Sequence, residues 1–287
     1  MALDYRKLRS AHSKDQPVSW GDRETILYAL SVGFGQDPLD AAELDYVLER
    51  PTLKTVPTMS TVLTADGFAG YLSDCGWDFS RVLHGEQRLE LHRPLPAEGR
   101  ILLDSRVVAV YDKGADKGAI ILTETAGRLA RNDSALFTLG STIFARGDGG
   151  FGGPAGSGPK PHPEPAREPD LTCVLQTRPE QALLYRLNGD RNPLHADPAL
   201  ATRVGFEAPI LHGLCTYGYA CHAVLKTVGE YDHTLITGFD ARFSAPVYPG
   251  ERILTEMWQD GNIVSFRCRV PERDVTVISN GKCTLSV

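Results

Sequence analysis

A segment rich in glycine and proline lies in the middle of this 287-residue chain, at residues 146–165. No apolar period runs through it, so it is typical of a linker that is flexible where glycines cluster and extended where prolines do. We therefore predict two folded units of ordinary domain size, residues 1–145 and residues 169–287, joined by a linker at residues 146–168.

Both predicted units end in apolar, β-branched runs that are typical of strands. The runs are Arg100–Tyr111, Ala119–Thr125 and Ser134–Phe144 in the first unit, and Ile253–Trp258, Ile263–Val270 and Val275–Val287 in the second. Asp and Gly at residues 112–114 and 260–262 supply the chemistry of tight turns between runs. The pattern predicts an antiparallel meander in each unit.

Three short similarities in the same order suggest that the two units are distant copies of each other. Each is weak by itself, and the spacings differ. They pair Tyr28–Gly33 with Tyr185–Asp190, His84-Gly85 with His212-Gly213, and Arg93–Leu103 with Ala245–Leu254.

One long helix is predicted at Gly213–Val228, where apolar and small residues surround most of the helix and indicate burial. A shorter helix is predicted after Asp197-Pro198, because Asp caps a helix and Pro suits its first turn. An antiparallel sheet wrapped around a helix, present in two copies, is an α+β architecture.

Composition excludes some classes of protein. A formal charge of −6 gives no support to nucleic-acid binding, and no apolar run is long enough to span a membrane. The start lacks the apolar core of a secretory signal, and the last three residues are not a Ser-Lys-Leu peroxisomal address. Six scattered cysteines are typical of free thiols. We therefore expect a cytoplasmic protein.

Candidate acid–base chemistry concentrates in the stretch from Tyr185 to Asp197. Gly189 permits a sharp turn and Asn192-Pro193 interrupts regular structure, so that Asp190 and His195 could point to one place. A carboxylate and an imidazole that converge on a water molecule can remove and return protons. The alternative is that Asn192 and Asp190 only stabilise a turn and that His195 is a structural polar residue.

A second polar motif, Ala208–Gly218, contains Gly213 where the long helix should begin. The free N–H groups of a helix start could stabilise negative charge on a thioester oxygen, and glycine would let the ligand approach closely. The alternative is that Gly213 only relieves crowding.

These motifs resemble those of a known family. Gly189–His195 followed by Ile210–Leu214 is similar to the hydratase 2 motif of MaoC-like (R)-specific enoyl-CoA hydratases. Val32–Gly35, His84–Leu91 and Gly149–Gly153 resemble the two-domain subgroup, which includes the hydratase unit of peroxisomal multifunctional enzyme type 2.

The resemblance implies a double hot-dog fold and reversible hydration of trans-2-enoyl-CoA to (3R)-hydroxyacyl-CoA. It places catalytic roles on Asp190, Asn192, His195 and Gly213, and substrate-binding roles on His84, Gly85, Lys113 and Arg242. It implies an acyl-CoA substrate, a homodimer, no metal and no cofactor, since CoA is part of the substrate.

The first unit departs from the family's catalytic pattern. Ser31–Pro38 lacks the acid–base motif, so we expect one active site per chain. Tyr71–Asp78 is a poor long helix, and a shortened helix there would leave room for bulky acyl tails.

Three other hypotheses about function stay open. A hot-dog thioesterase would be expected to carry a carboxylate on or near the long helix, and Gly213–Val228 contains none. A non-catalytic acyl-CoA-binding protein would be expected to lack Asp190 or His195. A metal site of His212, Cys215, Cys221 and His222 is disfavoured, because these residues spread around a helix.

Overall fold

A computed structural model describes residues 4–64 and 81–286. Among these residues, ten strands form one antiparallel sheet in the order β1-β3-β4-β5-β2-β7-β10-β9-β8-β6. The strands are β1 His12–Trp20, β2 Val82–Leu91, β3 Gly99–Asp112, β4 Ala119–Leu129, β5 Ala135–Ala145, β6 Leu171–Gln176, β7 Ile236–Phe243, β8 Arg252–Asp260, β9 Ile263–Val270 and β10 Val275–Leu285. The six predicted strands are therefore confirmed.

The described helices lie mainly on one face of this sheet. They are α1 Tyr5–Ser10, α2 Asp22–Ser31, α3 Ala41–Leu44, α4 Gln181–Tyr185, α5 Pro198–Arg203 and α6 Gly213–Thr227, with 3-10 turns that include Pro57–Thr64 and Pro193–His195. Asp197 caps α5 as predicted, by accepting the N–H groups of Ala199 and Leu200. None of the helices within the described ranges is long and apolar enough to cross a membrane.

Helix α6 is the buried centre of the second half. Every residue from Cys215 to Leu225 is buried, which confirms the predicted long helix. Small residues allow this close packing: a Cβ atom at Gly218 would lie 2.4 Å from the Val32 side chain of the first half. The cysteines at 173, 215, 221, 268 and 283 are buried free thiols, whereas Cys75 lies outside the described residues.

Strand order shows the same topology in both halves. Read from the centre outward, the first half runs β2-β5-β4-β3-β1 and the second runs β7-β10-β9-β8-β6, and β2 pairs with β7 in the middle. This confirms the α+β architecture expected of two hot-dog repeats. Residues 71–78, where a poor helix was predicted, lie outside the described residues.

One of the three matches between the halves, Tyr28–Gly33 with Tyr185–Asp190, brings equivalent residues into contact. Tyr28 and Tyr185 occupy matching positions and their ring centroids lie 6.2 Å apart, while the Asn188 amide donates to the matching Ser31 hydroxyl at 2.9 Å. Contacts between equivalent residues are expected beside an approximate two-fold axis. The two repeats therefore meet at the ends of α2 and α4.

The match between the two His-Gly pairs is wrong. His84-Gly85 lies within strand β2, whereas His212-Gly213 lies at the start of helix α6. Since the counterpart of β2 is β7, the two pairs occupy different elements. Two-residue similarity is too short to establish equivalence.

The segment at 146–168 contains no helix or strand, but hydrogen bonds fix its path. The Asp112 carboxylate accepts the N–H groups of Gly150 and Gly152, both at 2.8 Å. Further along, the Asn280 amide donates to the His162 carbonyl at 2.8 Å. The segment therefore crosses from the β3–β4 hairpin to strand β10, and its glycine-rich part is held where we expected flexibility.

Candidate active site

The loop Gly189–His195, here called the acid–base loop, follows α4 and is shaped by its own side chains. Gly189 has φ of +118°, a conformation that favours glycine. The Asp190 carboxylate accepts the Asn192 N–H at 3.1 Å, and the Asn192 side chain caps the next 3-10 turn by accepting the Leu194 N–H at 3.0 Å. The structural roles considered for Asp190 and Asn192 are thus present, and they determine where Asp190 lies.

His195 is held with one ring nitrogen free. It is 9% exposed, and its Nδ1 lies 2.8 Å from the Ile210 carbonyl oxygen, which can only accept a hydrogen bond. Nδ1 therefore carries the proton. Burial lowers the pKa of His195, so the imidazole is neutral at pH 7 with an unprotonated Nε2. Such a nitrogen can accept a proton from water.

The acid–base loop meets the start of α6 at His212. One potential ligand atom from each of Asp190, His195 and His212 lies within 4.8 Å of the other two. Two imidazoles and a carboxylate could also hold a divalent cation. The metal site considered from the sequence, formed by His212, Cys215, Cys221 and His222, is not assembled. His212 and His222 are separated by about 15 Å along the helix.

Gly213 is the first residue of α6, and no side chain caps that end. A Cβ atom at Gly213 would lie 3.4 Å from the Phe243 ring, which is ordinary van der Waals contact. Relief of crowding therefore does not require glycine here. The uncapped N–H groups and the exposure of Gly213 fit the predicted oxyanion site.

His84 reaches the same region because strand β2 contains a bulge. The register with β5 shifts between His84 and Glu86, which turns His84 to the helix side, 5.0 Å from the Phe243 ring. Burial lowers the pKa of His84 to about 4, and the charge of Asp190 opposes this shift. A Cβ atom at Gly85 would lie 2.0 Å from the Phe144 ring, so Gly85 has a packing role.

The two predicted substrate-binding cations lie beside the linker. Arg242 lies opposite Glu86 in the register of β7 with β2. With Lys160 and His162, it lines a small cavity on the outer face of the sheet. The Lys113 ammonium donates to the Gly156 carbonyl at 3.1 Å. The structure therefore gathers Asp190, Asn192, His195, Gly213 and His84, and leaves Arg242 on the opposite face.

Sequence reasoning missed three residues that surround the site, namely Tyr185, His212 and Phe243. The ring of Tyr185 lies 4.9 Å from that of His212, and His212 stacks on His195. The sequence signal for Phe243 was the alternation of side chains along a strand. Its neighbour Arg242 faces outward, so Phe243 points inward. For His212 the signal was its position directly before Gly213.

A cavity of about 550 Å³, lined by both apolar and polar side chains, opens beside the acid–base loop. Asn188 and Gly189 form one side of it. The apolar side chains around it belong to the first half and to the residue preceding Asn188, and include Trp20, Leu27, Met59, Leu63, Leu103 and Leu187. A hydrocarbon chain is the kind of group that such a lining accommodates.

Comparison with known proteins identifies the family. Residues 160–281 match the MaoC-like domain, and residues 19–147 match the N-terminal domain of MFE-2 hydratase 2. The chain is 40% identical over 287 residues to enoyl-CoA hydratase ChsH3 of Mycobacterium tuberculosis, covering 98% of each chain. It is 38% identical over 278 residues to the peroxisomal enoyl-CoA hydratase 2 of Arabidopsis thaliana, covering 91% of this chain and 89% of the relative.

Solved structures agree with the sequence matches. A MaoC-like dehydratase from Phytophthora capsici superimposes with a TM-score of 0.87 at 30% identity, over 99% of this chain and 98% of the other. Since both halves and nearly the whole length are matched, this chain belongs to the MaoC-like hydratase 2 family, in its two-domain form.

Proposed function

We propose that this protein is a hydro-lyase that adds water to trans-2-enoyl-CoA to give (3R)-3-hydroxyacyl-CoA, and catalyses the reverse dehydration, in fatty acid metabolism. The observation that carries the proposal is the convergence of the Asp190 carboxylate and the neutral His195 imidazole at the uncapped start of α6. Family membership and the apolar side chains that line part of the adjacent cavity support the same substrate class.

The proposed chemistry uses one water molecule held between Asp190 and His195. The water oxygen bonds to C3 while the pair accepts its proton, and the C2–C3 π electrons move toward the thioester oxygen. The N–H of Gly213 donates to that oxygen as negative charge develops. The pair then protonates C2, so that one water is added and no proton is left over.

Asn192 and His84 have supporting roles in this proposal. Asn192 builds the turn that carries Asp190 and would also contact the water. The neutral His84 ring, near Phe243, would face the thioester end of the substrate. Gly85 would preserve the bulge that orients His84. Lys113 and Arg242 would contact the CoA phosphates beyond the linker.

The hydrogen bonds of the two side chains support one division of work within the pair. Neutral His195 has an accepting Nε2, which suits it to remove the proton from water. Asp190 is exposed and would orient the water.

The test is hydration of crotonyl-, decenoyl- and branched or steroid enoyl-CoA, followed by the loss of the enoyl thioester absorbance and by chiral analysis of the product. We expect (3R)-hydroxyacyl-CoA, with activity on chains long enough to use the cavity. An (S) product would overturn the assignment. Release of free thiol instead of hydration would indicate a thioesterase, and binding without turnover a non-catalytic acyl-CoA-binding protein.

Three finer expectations are proposed with the activity. We propose a homodimer, a cytoplasmic location and CoA rather than acyl-carrier protein as the thiol carrier. Sedimentation gives the subunit number, fractionation gives the location, and a comparison of kcat/KM on the two thioesters gives the carrier.

A further inference from the structure

His212 is an unusual residue at its position. It precedes α6 as the N-cap residue, where a short Ser, Thr, Asp or Asn side chain normally accepts an N–H group of the first turn. The His212 side chain makes no such bond and is only 1% exposed. Its presence at the helix start therefore requires a reason other than capping.

The contacts of His212 point into the acid–base loop. Its Nε2 lies 3.1 Å from the backbone carbonyl oxygen of Asp190, and its ring stacks on that of His195 with centroids 3.8 Å apart and planes at 27°. The same residue is joined directly to Gly213. One side chain thus contacts both members of the acid–base pair, and its backbone leads into the oxyanion donor.

The protonation state of His212 follows from these contacts. Because a carbonyl oxygen can only accept a hydrogen bond, Nε2 carries the proton and donates a hydrogen bond to the Asp190 carbonyl. Burial and the neighbouring His195 lower the pKa of His212 to about 4, so the ring is neutral at pH 7.

We propose that His212 is a positioning residue, whose Nε2–H donation to the Asp190 carbonyl and stacking on His195 fix the acid–base pair relative to the N–H of Gly213. This inference rests on the proposed function. Displacement of a reacting group by about 1 Å can reduce turnover on the order of 100-fold, so a residue that sets this distance affects kcat strongly.

Two amide variants separate positioning from helix capping. His212→Gln places an amide nitrogen near the position of Nε2, where it can still donate to Asp190. His212→Asn places its amide near Nδ1, which has no hydrogen-bond partner among the described residues, but Asn is the better N-cap. His212→Phe retains a ring that can stack and removes the donor.

We expect His212→Gln to keep kcat within about tenfold of wild type, and His212→Asn and His212→Phe to lose on the order of 100-fold, with KM changed less than about threefold. The melting temperature should follow the opposite order, with His212→Asn at or above His212→Gln. Crotonyl-CoA hydration by the full chain and thermal melting give both readouts.

The inference is overturned if His212→Asn retains as much kcat as His212→Gln, or if the loss appears in KM alone. Asp190→Asn, measured in parallel, separates this failure from failure of the proposed function. If Asp190→Asn is inactive while the His212 variants are normal, only the positioning role is lost. If Asp190→Asn retains full turnover, the proposed function itself fails.

Discussion

The acid–base loop of the second half and residues 32–36 of the first half occupy corresponding places in the two repeats, but they present different chemistry. The match that aligns Tyr28 with Tyr185 places Gly33 where the second half has Asp190. Gly33 has φ of +92°, and a Cβ atom there would lie 2.7 Å from the Tyr219 ring. The first half therefore has no room for a carboxylate at this position, which accounts for a glycine where the acid–base loop has Asp190.

A carboxylate and an imidazole, Glu43 and His222, also meet beside the first-half loop, but both carboxylate oxygens of Glu43 already accept hydrogen bonds. Glu43 Oε2 accepts the Gly35 N–H at 3.0 Å, and Oε1 accepts from Lys226 at 3.0 Å and Tyr231 at 3.1 Å. His222 Nε2 lies 3.3 Å from Oε1. Both Glu43 and His222 are at least 97% buried.

The comparison teaches that residue type does not separate a structural pair from a reactive one. Asp190 is exposed, and His195 keeps a free nitrogen, whereas Glu43 has no free oxygen and no access to solvent. Glu43 is also the carboxylate near the long helix that the thioesterase reading required. Its occupied oxygens leave none to activate a water.

The largest expected effect is on the reactive pair. Asp190→Asn should reduce kcat by about 10²- to 10⁴-fold, because it removes the charge that holds and polarises the water. The melting temperature should stay within a few degrees, since an Asn oxygen can still accept the Asn192 N–H. Steady-state kinetics on crotonyl-CoA with thermal melting check both; retained turnover would contradict the proposed role.

Glu43→Gln is the matched change at the structural pair. It should destabilise the protein by about 3 kcal/mol, because Lys226 and His222 lose a buried partner, while kcat per folded molecule stays near wild type. Urea unfolding and active-fraction-corrected kinetics test this. A large loss of kcat in folded protein would instead place Glu43 in the catalytic chemistry.

The same pair should contribute to pH stability. Burial alone would raise the pKa of Glu43, but its contacts with His222 and Lys226 outweigh burial and lower the pKa to about 2, from an ordinary 4.5. The stabilisation is therefore present above about pH 4.5 and is lost as the pH falls toward 2. Between these pH values, the free energy of unfolding should fall more steeply with decreasing pH in the wild type than in Glu43→Gln.

A smaller effect is expected where the two loops touch. The Asn188 amide donates to the Ser31 hydroxyl across the approximate two-fold axis. Ser31→Ala and Asn188→Ala should each cost about 1 kcal/mol of stability, and a double-mutant cycle should give a coupling energy of about 0.5–1 kcal/mol. Additive effects would show that the repeats do not support each other through this contact.

Local pattern was sufficient to predict six of the described strands, α5, α6 and the residues of the acid–base loop, because turn residues, caps and strand alternation act over a few positions. Strands β1, β2, β6 and β7 were not predicted. Long-range geometry was not predictable in the same way. The bulge that turns His84 inward and the stacking of His212 on His195 depend on partners distant in sequence. Arg242 was assigned by resemblance, and only the strand register shows that Phe243 is its inward-facing neighbour.

The smallest expected effect is a shift in the pH profile of the reactive pair. If His195 accepts the proton from water, its neutral form is the active one, and activity falls when it becomes protonated. Burial lowers the pKa of His195 below the ordinary 6.5, so the acid limb of kcat/KM should lie below pH 6.5. In the structural pair, Glu43→Gln should leave this limb unchanged. Activity that instead falls as the pH rises through this range would mean that the protonated imidazole is the active form, and would exchange the roles of Asp190 and His195.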